Sequence, residues 1–278
     1  MQYGGSDMEP GSFQELLNSE RMQNARNKLT LAIGKDESGE VVACDLMTTG
    51  PILIAGEEGY GITECLNAMI CSVLYRTNSD ETKLILVDIK NEKLQIYNNS
   101  SHLLIPVITD PNKALKILAW AAEEMNERFS LFARHCVCQL KQYNDSLKEK
   151  EKRKPEIVII INGIEDLVSL NTEEINRCLI PLVRFAKPTV GLHLIIVTHH
   201  PSLDNLPVPI RVCCGCCIAF KTSSSETSMM IVDHYGAEKL SGKGDMLLSV
   251  YPEFSPRLVR CCTITDDEIS KMTMSDQV

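Results

Sequence analysis

Residues 51–63, PILIAGEEGYGIT, constrain the fold more than any other part of the sequence. A short apolar run is followed by a glycine-rich turn and then by a helical pattern, which is the order of a phosphate-binding loop. The motif G-x-x-x-x-G-K-[ST] matches at Gly56, Gly61 and Thr63, whereas Ile62 stands at the lysine position. The stretch therefore predicts the backbone of a nucleotide site that lacks its main charge. Taken alone the match is weak, and a plain strand, turn and helix is the alternative.

Five apolar runs predict the strands of a parallel sheet. They cover residues 52–55, 84–87, 157–161, 194–197 and 216–220. Runs that are apolar at every position suit a sheet that helices cover on both faces. Residues 29–33 and 41–44 flank a turn-rich stretch, which indicates a β-hairpin. Because strands and helical stretches alternate from residue 52 onward, the sequence predicts an α/β fold with a doubly wound, mostly parallel sheet and an N-terminal β-hairpin.

Three helical stretches have recognisable faces or ends. Residues 13–28 have helical spacing, and their apolar side consists of Phe13, Leu16, Leu17 and Met22. Asp110 and Pro111 predict the cap and first residue of a long helix. Its inward face is predicted to consist of Leu115, Leu118, Ala122, Met125, Phe129 and Phe132. Residues 265–268, TDDE, fit a capping box near the end of the chain.

The formal net charge of −9 bears on the partners that the chain can bind. A protein that binds DNA through its own surface needs a basic patch, because phosphate contacts dominate the affinity. The basic residues within 148–154 are diluted by acids and are expected to form a solvated helix end and loop. The chain by itself is therefore expected to bind duplex DNA weakly.

No run approaches the roughly 18 apolar residues that a membrane-spanning helix needs, and the polar N-terminus does not fit a signal peptide. We therefore expect a cytoplasmic location, in which the twelve cysteines stay reduced. The dense cluster consists of Cys213, Cys214, Cys216 and Cys217. These cysteines are expected to pack as small buried side chains rather than to bind a zinc ion, since neighbouring side chains on a strand point to opposite faces.

The residues that end the apolar runs are candidates for a site, because ligands in an open parallel sheet bind beyond the carboxyl ends of the strands. They are Asp88, Asn162, Thr198 and His199, with Lys90 two residues beyond Asp88. Asn162 stands where a Walker B strand carries the aspartate that holds Mg²⁺, and it brings no charge. Gly163 follows, at the position where many such ATPases place a catalytic glutamate. No residue is therefore assigned a catalytic role.

Two further pairs near these strand ends carry titratable side chains. Glu165 and Asp166 are expected to be solvated acids at the start of a helix. His199 and His200 follow a strand directly, so their side chains should point apart. Hydrogen bonding within the loop is the favoured prediction for both histidines, ahead of metal binding or acid–base chemistry.

The candidate nucleotide-binding residues are those of the loop itself. They are Gly56, Glu57, Glu58, Gly59, Tyr60, Gly61, Ile62, Thr63 and Glu64. The backbone N–H groups of such a loop cradle phosphates, and Thr63 would hold Mg²⁺ if the ion is bound. Glu57 and Glu58 place negative charge where the phosphates would lie. ATP and Mg²⁺ are therefore expected to bind weakly at best.

Four longer blocks of sequence carry a family resemblance. They are LTLAIGKD at residues 29–36, HLLIPVITDP at 102–111, GLHLIIVT at 191–198 and GAEKLSGKGDML at 236–247. Through these blocks, residues 13–269 resemble the motor domain of the FtsK/SpoIIIE DNA translocases. The resemblance implies a RecA-like P-loop NTPase core. It also implies a homo- or hetero-hexameric ring around duplex DNA, ATP at the subunit interfaces, and roles in chromosome segregation and cell division.

The departures from the family pattern fall on charged positions. Ile62 replaces the loop lysine, Asn162 and Gly163 replace the Walker B Asp-Glu, and Thr198-His199-His200-Pro201 replaces Thr-Gln-Arg-Pro. Cys217 and Met229 stand where the family has arginines. Asp88 and Lys90 of an Asp-Pro-Lys motif are kept, and so is Thr63. Both Walker motifs are thus degenerate on a scaffold that otherwise matches.

The resemblance leaves three functions open. The first is a catalytically impaired pseudo-ATPase that acts as a nucleotide- or DNA-binding or assembly module. The second is an active ATP-dependent translocase with substitute residues such as Lys90 or Lys243. The third is a degenerate ATPase module of a protein-secretion or conjugation machine.

The resemblance also predicts the organisation and location of the chain. Residues 1–12 are expected to be a disordered leader or cloning remnant, residues 13–270 the motor domain, and residues 271–278 a tail. The expected location is the bacterial cytoplasm. Membrane association through partners or regions outside this sequence is an open alternative.

Overall fold

A central sheet organises the structure, a computed structural model that describes residues 9–89, 93–149, 152–202 and 206–275. Within these ranges the strands are β1 (Thr30–Asp36), β2 (Val41–Asp45), β3 (Ile52–Ala55), β4 (Thr82–Asp88), β5 (Glu156–Asn162), β6 (Leu192–Thr198), β7 (Cys216–Ala219), β8 (Asp245–Val250) and β9 (Glu253–Cys261). They lie side by side in the order β2-β1-β9-β8-β7-β3-β6-β5-β4.

The sheet has a parallel half and an antiparallel half. Strands β7, β3, β6, β5 and β4 run parallel to one another. Every residue of β3 and β6 is buried, as expected for strands that are covered on both faces. The hairpin of β1 and β2 joins the parallel half through β9 and β8, all in antiparallel pairs. The predicted α/β fold with an N-terminal hairpin is confirmed, and β8 and β9 are additional to the predicted elements.

Helices connect the strands and cover both faces. They are α1 (Phe13–Asn18), α2 (Glu20–Gln23), α3 (Leu46–Thr49), α4 (Ile62–Arg76), α5 (Pro111–Arg134), α6 (Leu140–Ser146), α7 (Ile164–Leu170), α8 (Thr172–Phe185), α9 (Val208–Cys213), α10 (Ser225–Val232) and α11 (Asp266–Ser275), with 3₁₀ turns at Leu94–Tyr97 and Ala237–Lys239. Among the described residues, no helix is long and apolar enough to cross a membrane.

Two apolar layers lie on opposite faces of the sheet. Helices α1, α2 and α4 contribute to one layer, whereas α5, α7 and α8 contribute to the other. Alternate residues of β5 divide between them, with Val158 and Ile160 in the first layer and Ile159 and Ile161 in the second. This period of two places Asn162, which follows Ile161, on the same face as α4.

Residues 13–28 contain two short helices where the sequence predicts one helical stretch. Ser19 has extended backbone between α1 and α2, and its hydroxyl accepts a hydrogen bond from the Met22 N–H at 3.4 Å. Serine favours such a cap over a position inside a helix. The predicted apolar side is confirmed, because Phe13, Leu16, Leu17 and Met22 are all buried.

The long helix α5 begins as predicted but turns a different residue inward. The carboxylate of Asp110 accepts the Lys113 N–H at 2.9 Å and caps the helix. The prediction for Phe129 is wrong, because its side chain is 44% exposed while the neighbouring Arg128 is buried. The buried face follows Met125, Arg128 and Phe132, which matches a period of 3.6 residues.

The capping box at the start of α11 is confirmed. The Glu268 N–H donates to the Thr265 hydroxyl at 3.3 Å, and the Thr265 N–H donates to the Glu268 carboxylate at 2.8 Å. These reciprocal bonds satisfy two backbone donors at the helix start.

Candidate nucleotide site at the strand ends

The loop between β3 and α4 packs tightly on the loop that precedes β8. Gly61 has a φ of 112°, a conformation that residues with a side chain rarely adopt. A Cβ at Gly61 would also lie 2.7 Å from the Cα of Gly244. The contact between the two loops therefore requires a glycine at position 61, whether or not the loop binds a ligand.

Helix α4 starts with backbone N–H groups that can receive an anion. No side chain caps it, and Cys65 donates to the Gly61 carbonyl at 3.0 Å. The N–H groups of Ile62, Thr63 and Glu64 precede the first helical hydrogen bond and have no acceptor within the helix. Together with the helix dipole they form the kind of terminus that binds phosphate.

Two other amides of the loop are already used by the protein. The Gly56 N–H donates to the Thr198 carbonyl at 3.3 Å, and the Glu57 N–H donates to the Lys221 carbonyl at 2.8 Å. The loop is thus tied to β6 and to Lys221, two residues beyond the end of β7. Fewer amides remain for a phosphate than the loop pattern alone suggests.

Ile62 is buried in the apolar layer beneath α4, with 2% of its surface exposed. A lysine at this position would reach the β- and γ-phosphates of a bound nucleotide. The isoleucine instead adds to the core. Thr63 is half-buried and Glu64 exposed, so the two residues after Ile62 lie at the surface of the site.

A chain of hydrogen bonds joins the ends of three neighbouring strands. The Asn162 Nδ2 donates to Asp88 Oδ1 at 3.0 Å, and the Asn162 Oδ1 lies 2.9 Å from His199 Nε2. All three side chains are buried. With the amide nitrogen donating to the Asp88 carboxylate, the Asn162 oxygen faces the imidazole, and the tautomer that completes this arrangement carries its proton on His199 Nε2. His199 is hydrogen-bonded, but to Asn162 at the end of β5 rather than within its own loop as predicted.

Glu165 belongs to the same network, and the prediction that it is solvated is wrong. Its side chain is 5% exposed, and Oε1 accepts the His199 N–H at 3.0 Å. Gly163 has a φ of 86°, which turns the chain from β5 into α7 so that Glu165 faces the sheet. A tight glycine turn after a strand is the sequence signal that could have indicated this.

The remaining predicted residues fall in different places. Thr198 is fully buried at the end of β6. His200 is exposed while His199 is buried, which confirms that the two side chains point apart. Lys90 lies outside the described residues.

Two lysines lie close to the loop. Lys243 is exposed and precedes Gly244, the residue that Gly61 contacts. Lys221 is absent from the sequence prediction, and its ammonium stands 5.7 Å from the centre of the Tyr60 ring while donating to the Leu240 carbonyl at 3.2 Å. A cation at this ring distance is attracted to the aromatic face.

A cleft of about 230 Å³ opens beside the loop. It is lined by Glu57, His199, His200, Pro201, Ser202, Thr222 and Ser223. Clefts that hold drug-sized ligands usually measure about 300–1,000 Å³. The cleft is therefore small for a whole nucleotide.

The side chains at the strand ends do not fit a magnesium ion. Mg²⁺ needs oxygen ligands in near-octahedral geometry. Asn162 turns its N–H₂ toward Asp88 and uses its oxygen on His199, while Asp88 Oδ2 accepts the N–H groups of Lys93 and Leu94 at 3.2 and 3.1 Å. Thr63, the residue predicted to hold Mg²⁺ if the ion is bound, lies in the first turn of α4.

The sheet order, the loop after β3 and the paired strand ends define the class of protein, a domain with the P-loop ATPase fold. Solved structures agree on this fold. The cytoplasmic domain of the type VII secretion ATPase EccC from Thermomonospora curvata superposes with a TM-score of 0.81 at 17% identity, covering 96% of this chain and 34% of that one. The pCW3 conjugation coupling protein TcpA, solved with ATPγS, superposes with a TM-score of 0.77 at 19% identity. The match covers 90% of this chain and 71% of TcpA.

Sequence relatives define the family. The model of the FtsK/SpoIIIE family matches residues 12–239. The DNA translocase FtsK of Caldanaerobacter subterraneus subsp. tengcongensis is 39% identical over 260 residues, which cover 94% of this chain and 36% of the relative. The DNA translocase SpoIIIE of Bacillus subtilis is 35% identical over 268 residues, 94% of this chain and 34% of the relative. The chain belongs to the FtsK/SpoIIIE family and spans about a third of the length of these curated relatives.

Proposed function

We propose that the chain is an FtsK/SpoIIIE-type motor domain that has lost ATP hydrolysis and acts as a nucleotide- or DNA-binding or assembly module. One observation carries this proposal: the positions of the phosphate lysine and the metal-binding aspartate hold Ile62 and Asn162, and both side chains are engaged within the protein. The family scaffold around them is intact.

The size of the expected defect follows from the missing charges. A hydrogen bond to a charged group contributes about 1.5–3 kcal/mol. Loss of the loop lysine alone therefore weakens triphosphate binding by roughly one to two orders of magnitude. Hydrolysis falls further, because Gly163 offers no base and no carboxylate at position 162 supports a metal.

The direct test is ATP hydrolysis by the purified chain with Mg²⁺ and duplex DNA, followed as phosphate release. We expect no turnover above that of Thr63→Ala, which removes the hydroxyl that a phosphate-loop metal would need. Since the two proteins pass through the same purification, Thr63→Ala also measures contaminating ATPase. Robust turnover in the wild type that disappears in Thr63→Ala would refute the proposal.

A second candidate is an active motor that uses substitute lysines. It is favoured by the position of Lys243 beside the Gly61–Gly244 contact and of Lys221 above Tyr60. If turnover is found, Lys221→Ala and Lys243→Ala distinguish the two lysines, with the exposed Lys141 as a distant control. The third candidate, a secretion or conjugation module, stays a prediction, because the likeness to EccC and TcpA concerns the fold.

The names of the sequence relatives suggest partners for the complete assembly. We infer duplex DNA as the substrate of a larger machine and a homo- or hetero-hexamer with FtsK-like subunits as its form. The bacterial cytoplasm is the proposed location, with roles in chromosome segregation and cell division. Any attachment to the membrane would come through other regions or partners.

A further inference from the structure

We propose that the hydrogen-bonded chain Asp88–Asn162–His199–Glu165 takes the place of the magnesium ion at this site, and that Asn162 is the residue that excludes the metal. This inference deepens the proposed function and rests on it. It concerns how the strand ends are held together, whereas the proposed function concerns turnover.

The orientation of the Asn162 amide is the first step. Its Nδ2 donates to Asp88 Oδ1 at 3.0 Å, so the N–H protons occupy the side of Asp88 that faces the end of β5. A cation placed there would meet these protons at close range. The amide thus presents positive partial charge where a metal-binding aspartate would present negative charge.

The second step is that Asp88 fixes this orientation and His199 completes the hydrogen bonds of the amide. The Nε2–H of His199 donates to Asn162 Oδ1 at 2.9 Å, and its backbone N–H donates to Glu165 Oε1 at 3.0 Å. Rotating the amide by half a turn would set its oxygen against the Asp88 carboxylate, two acceptors at hydrogen-bond distance inside the protein. Asp88 therefore fixes the amide, and the imidazole adapts its tautomer to the Asn162 oxygen.

The third step concerns the register of the strands. Asp88 and Asn162 are paired at the ends of β4 and β5, and Asn162 also pairs with Val197 of β6. Asp88 Oδ2 accepts two further N–H groups, from Lys93 and Leu94. The side-chain bonds thus use the polar atoms of three strand ends and the following turn within the protein and leave none of these atoms for an ion.

The experiment replaces the amide of Asn162, at the centre of the hydrogen-bonded network, with a carboxylate. Asn162→Asp sets a second carboxylate at hydrogen-bond distance from Asp88, so the two charges repel unless a cation lies between them. The thermal midpoint Tm is measured in EDTA and in Mn²⁺, with and without ATPγS, and Mn²⁺ binding is followed by electron paramagnetic resonance. We expect no metal effect on the wild type, and in the variant a lowered Tm that Mn²⁺ restores.

Two further variants separate metal binding from simple damage. Asn67→Asp makes the same change at another buried amide, whose oxygen accepts from the Tyr97 hydroxyl at 3.0 Å, and should lower Tm without any recovery in Mn²⁺. The exchange Asp88→Asn with Asn162→Asp keeps one amide and one carboxylate. It should restore Tm in EDTA relative to Asn162→Asp, because two carboxylates no longer face each other at this contact.

The outcomes decide the inference separately from the proposed function. Mn²⁺ binding by the wild type that is lost in Thr63→Ala overturns the inference, whether or not ATP is hydrolysed. An Asn162→Asp variant that folds and gains no Mn²⁺ response also overturns it, because another residue would then exclude the metal. Hydrolysis by a wild type with no metal response would refute the proposed function and leave the inference standing.

Discussion

At the scale of single residues, the proposed loss of ATP hydrolysis concerns residue chemistry rather than backbone shape. Gly61 and Thr63 keep their places, while Ile62 buries an apolar side chain in the layer beneath α4. Asn162 uses both ends of its amide within the protein. The loop backbone and the uncharged side chains at positions 62 and 162 are the two features on which the proposed function depends.

Restoring the loop lysine should strengthen nucleotide binding before it restores turnover. For Ile62→Lys we expect ATPγS affinity to rise by about 10- to 100-fold, the value of one charge-assisted hydrogen bond, as measured by titration calorimetry. Ile62→Met, which is long but uncharged, is the matched control and should leave the affinity unchanged. A folded Ile62→Lys protein with wild-type affinity would show that the loop does not receive phosphate.

Turnover should stay absent in Ile62→Lys because the base is harder to restore. Gly163 has a φ of 86°, so Gly163→Glu places a side chain in left-handed backbone at a cost of roughly 1–2 kcal/mol. The glutamate would also start 3.1 Å from an Asp166 carboxylate oxygen. Recovery of hydrolysis by Gly163→Glu alone would contradict the expectation that nucleotide binding recovers before turnover.

At the scale of elements, the β1–β2 hairpin is fixed by one acid at its turn. Asp36 Oδ1 accepts the N–H of Ser38 at 2.9 Å, the Ser38 hydroxyl at 2.6 Å and the N–H of Glu40 at 3.1 Å. Burial acts to raise the pKa of Asp36, but the hydrogen bonds from Ser38 and Glu40 outweigh it, so the pKa lies below its ordinary value. The ionised form is therefore the one that stabilises the turn.

The hairpin contribution should depend on pH in a defined direction. Because the pKa of Asp36 is lowered on folding, its stabilisation is fully present above the unfolded value of about 3.9 and is lost as the pH falls through the lower folded value. Asp36→Ala should cost about 0.5–1.5 kcal/mol of unfolding free energy at pH 7. In urea titrations across pH, the difference from wild type should shrink toward acid.

Asp36→Asn is the control for this prediction, since it keeps an acceptor oxygen and removes the titration. Its free energy of unfolding should lack the acid-dependent contribution that Asp36 gives the wild type. A difference between Asp36→Ala and wild type that stays constant down to pH 2 would contradict the assigned role of the charge.

At the scale of the whole molecule, charge limits what the chain can bind alone. The net charge is −9. Two lysines of the basic segment, residues 148–154, form ion pairs with acids: Lys152 with Glu149 at 2.8 Å and Lys154 with Glu124 at 3.4 Å. We expect a Kd for duplex DNA of about 10⁻⁴–10⁻⁶ M or weaker near physiological salt, with a steep loss at higher salt. Fluorescence anisotropy across a salt series measures both.

The matched variants for DNA binding reverse charge within and outside that segment. Lys152→Glu should change the weak affinity little, because its ammonium already faces Glu149, and Lys141→Glu, paired with Asp145, serves as the comparison. Nanomolar affinity of the wild-type chain would overturn the expectation and indicate a basic surface that the sequence pattern does not reveal.

The fold could be predicted from the sequence to the extent that its signals are local. Apolar runs such as residues 157–161 fix strands, and capping patterns at Asp110 and Thr265 fix helix starts, since each depends on neighbours a few residues away. The helical spacing predicted a buried Phe129, but Arg128 is buried instead. Its guanidinium donates to the carbonyls of Val190 and Gly191 at 2.9 and 3.0 Å, contacts that the local pattern does not show.

The sequence by itself determined the glycine loop, the strand ends and the uncharged residues Ile62 and Asn162 at them, because these are properties of residue type and spacing. The tertiary structure alone decided what these residues contact. Asn162 contacts Asp88, 74 positions away, and His199, 37 positions away, so their network exists only when β4, β5 and β6 are aligned. Burial of Glu165 and the approach of Lys221 to Tyr60 likewise depend on distant elements, whose packing no local pattern encodes.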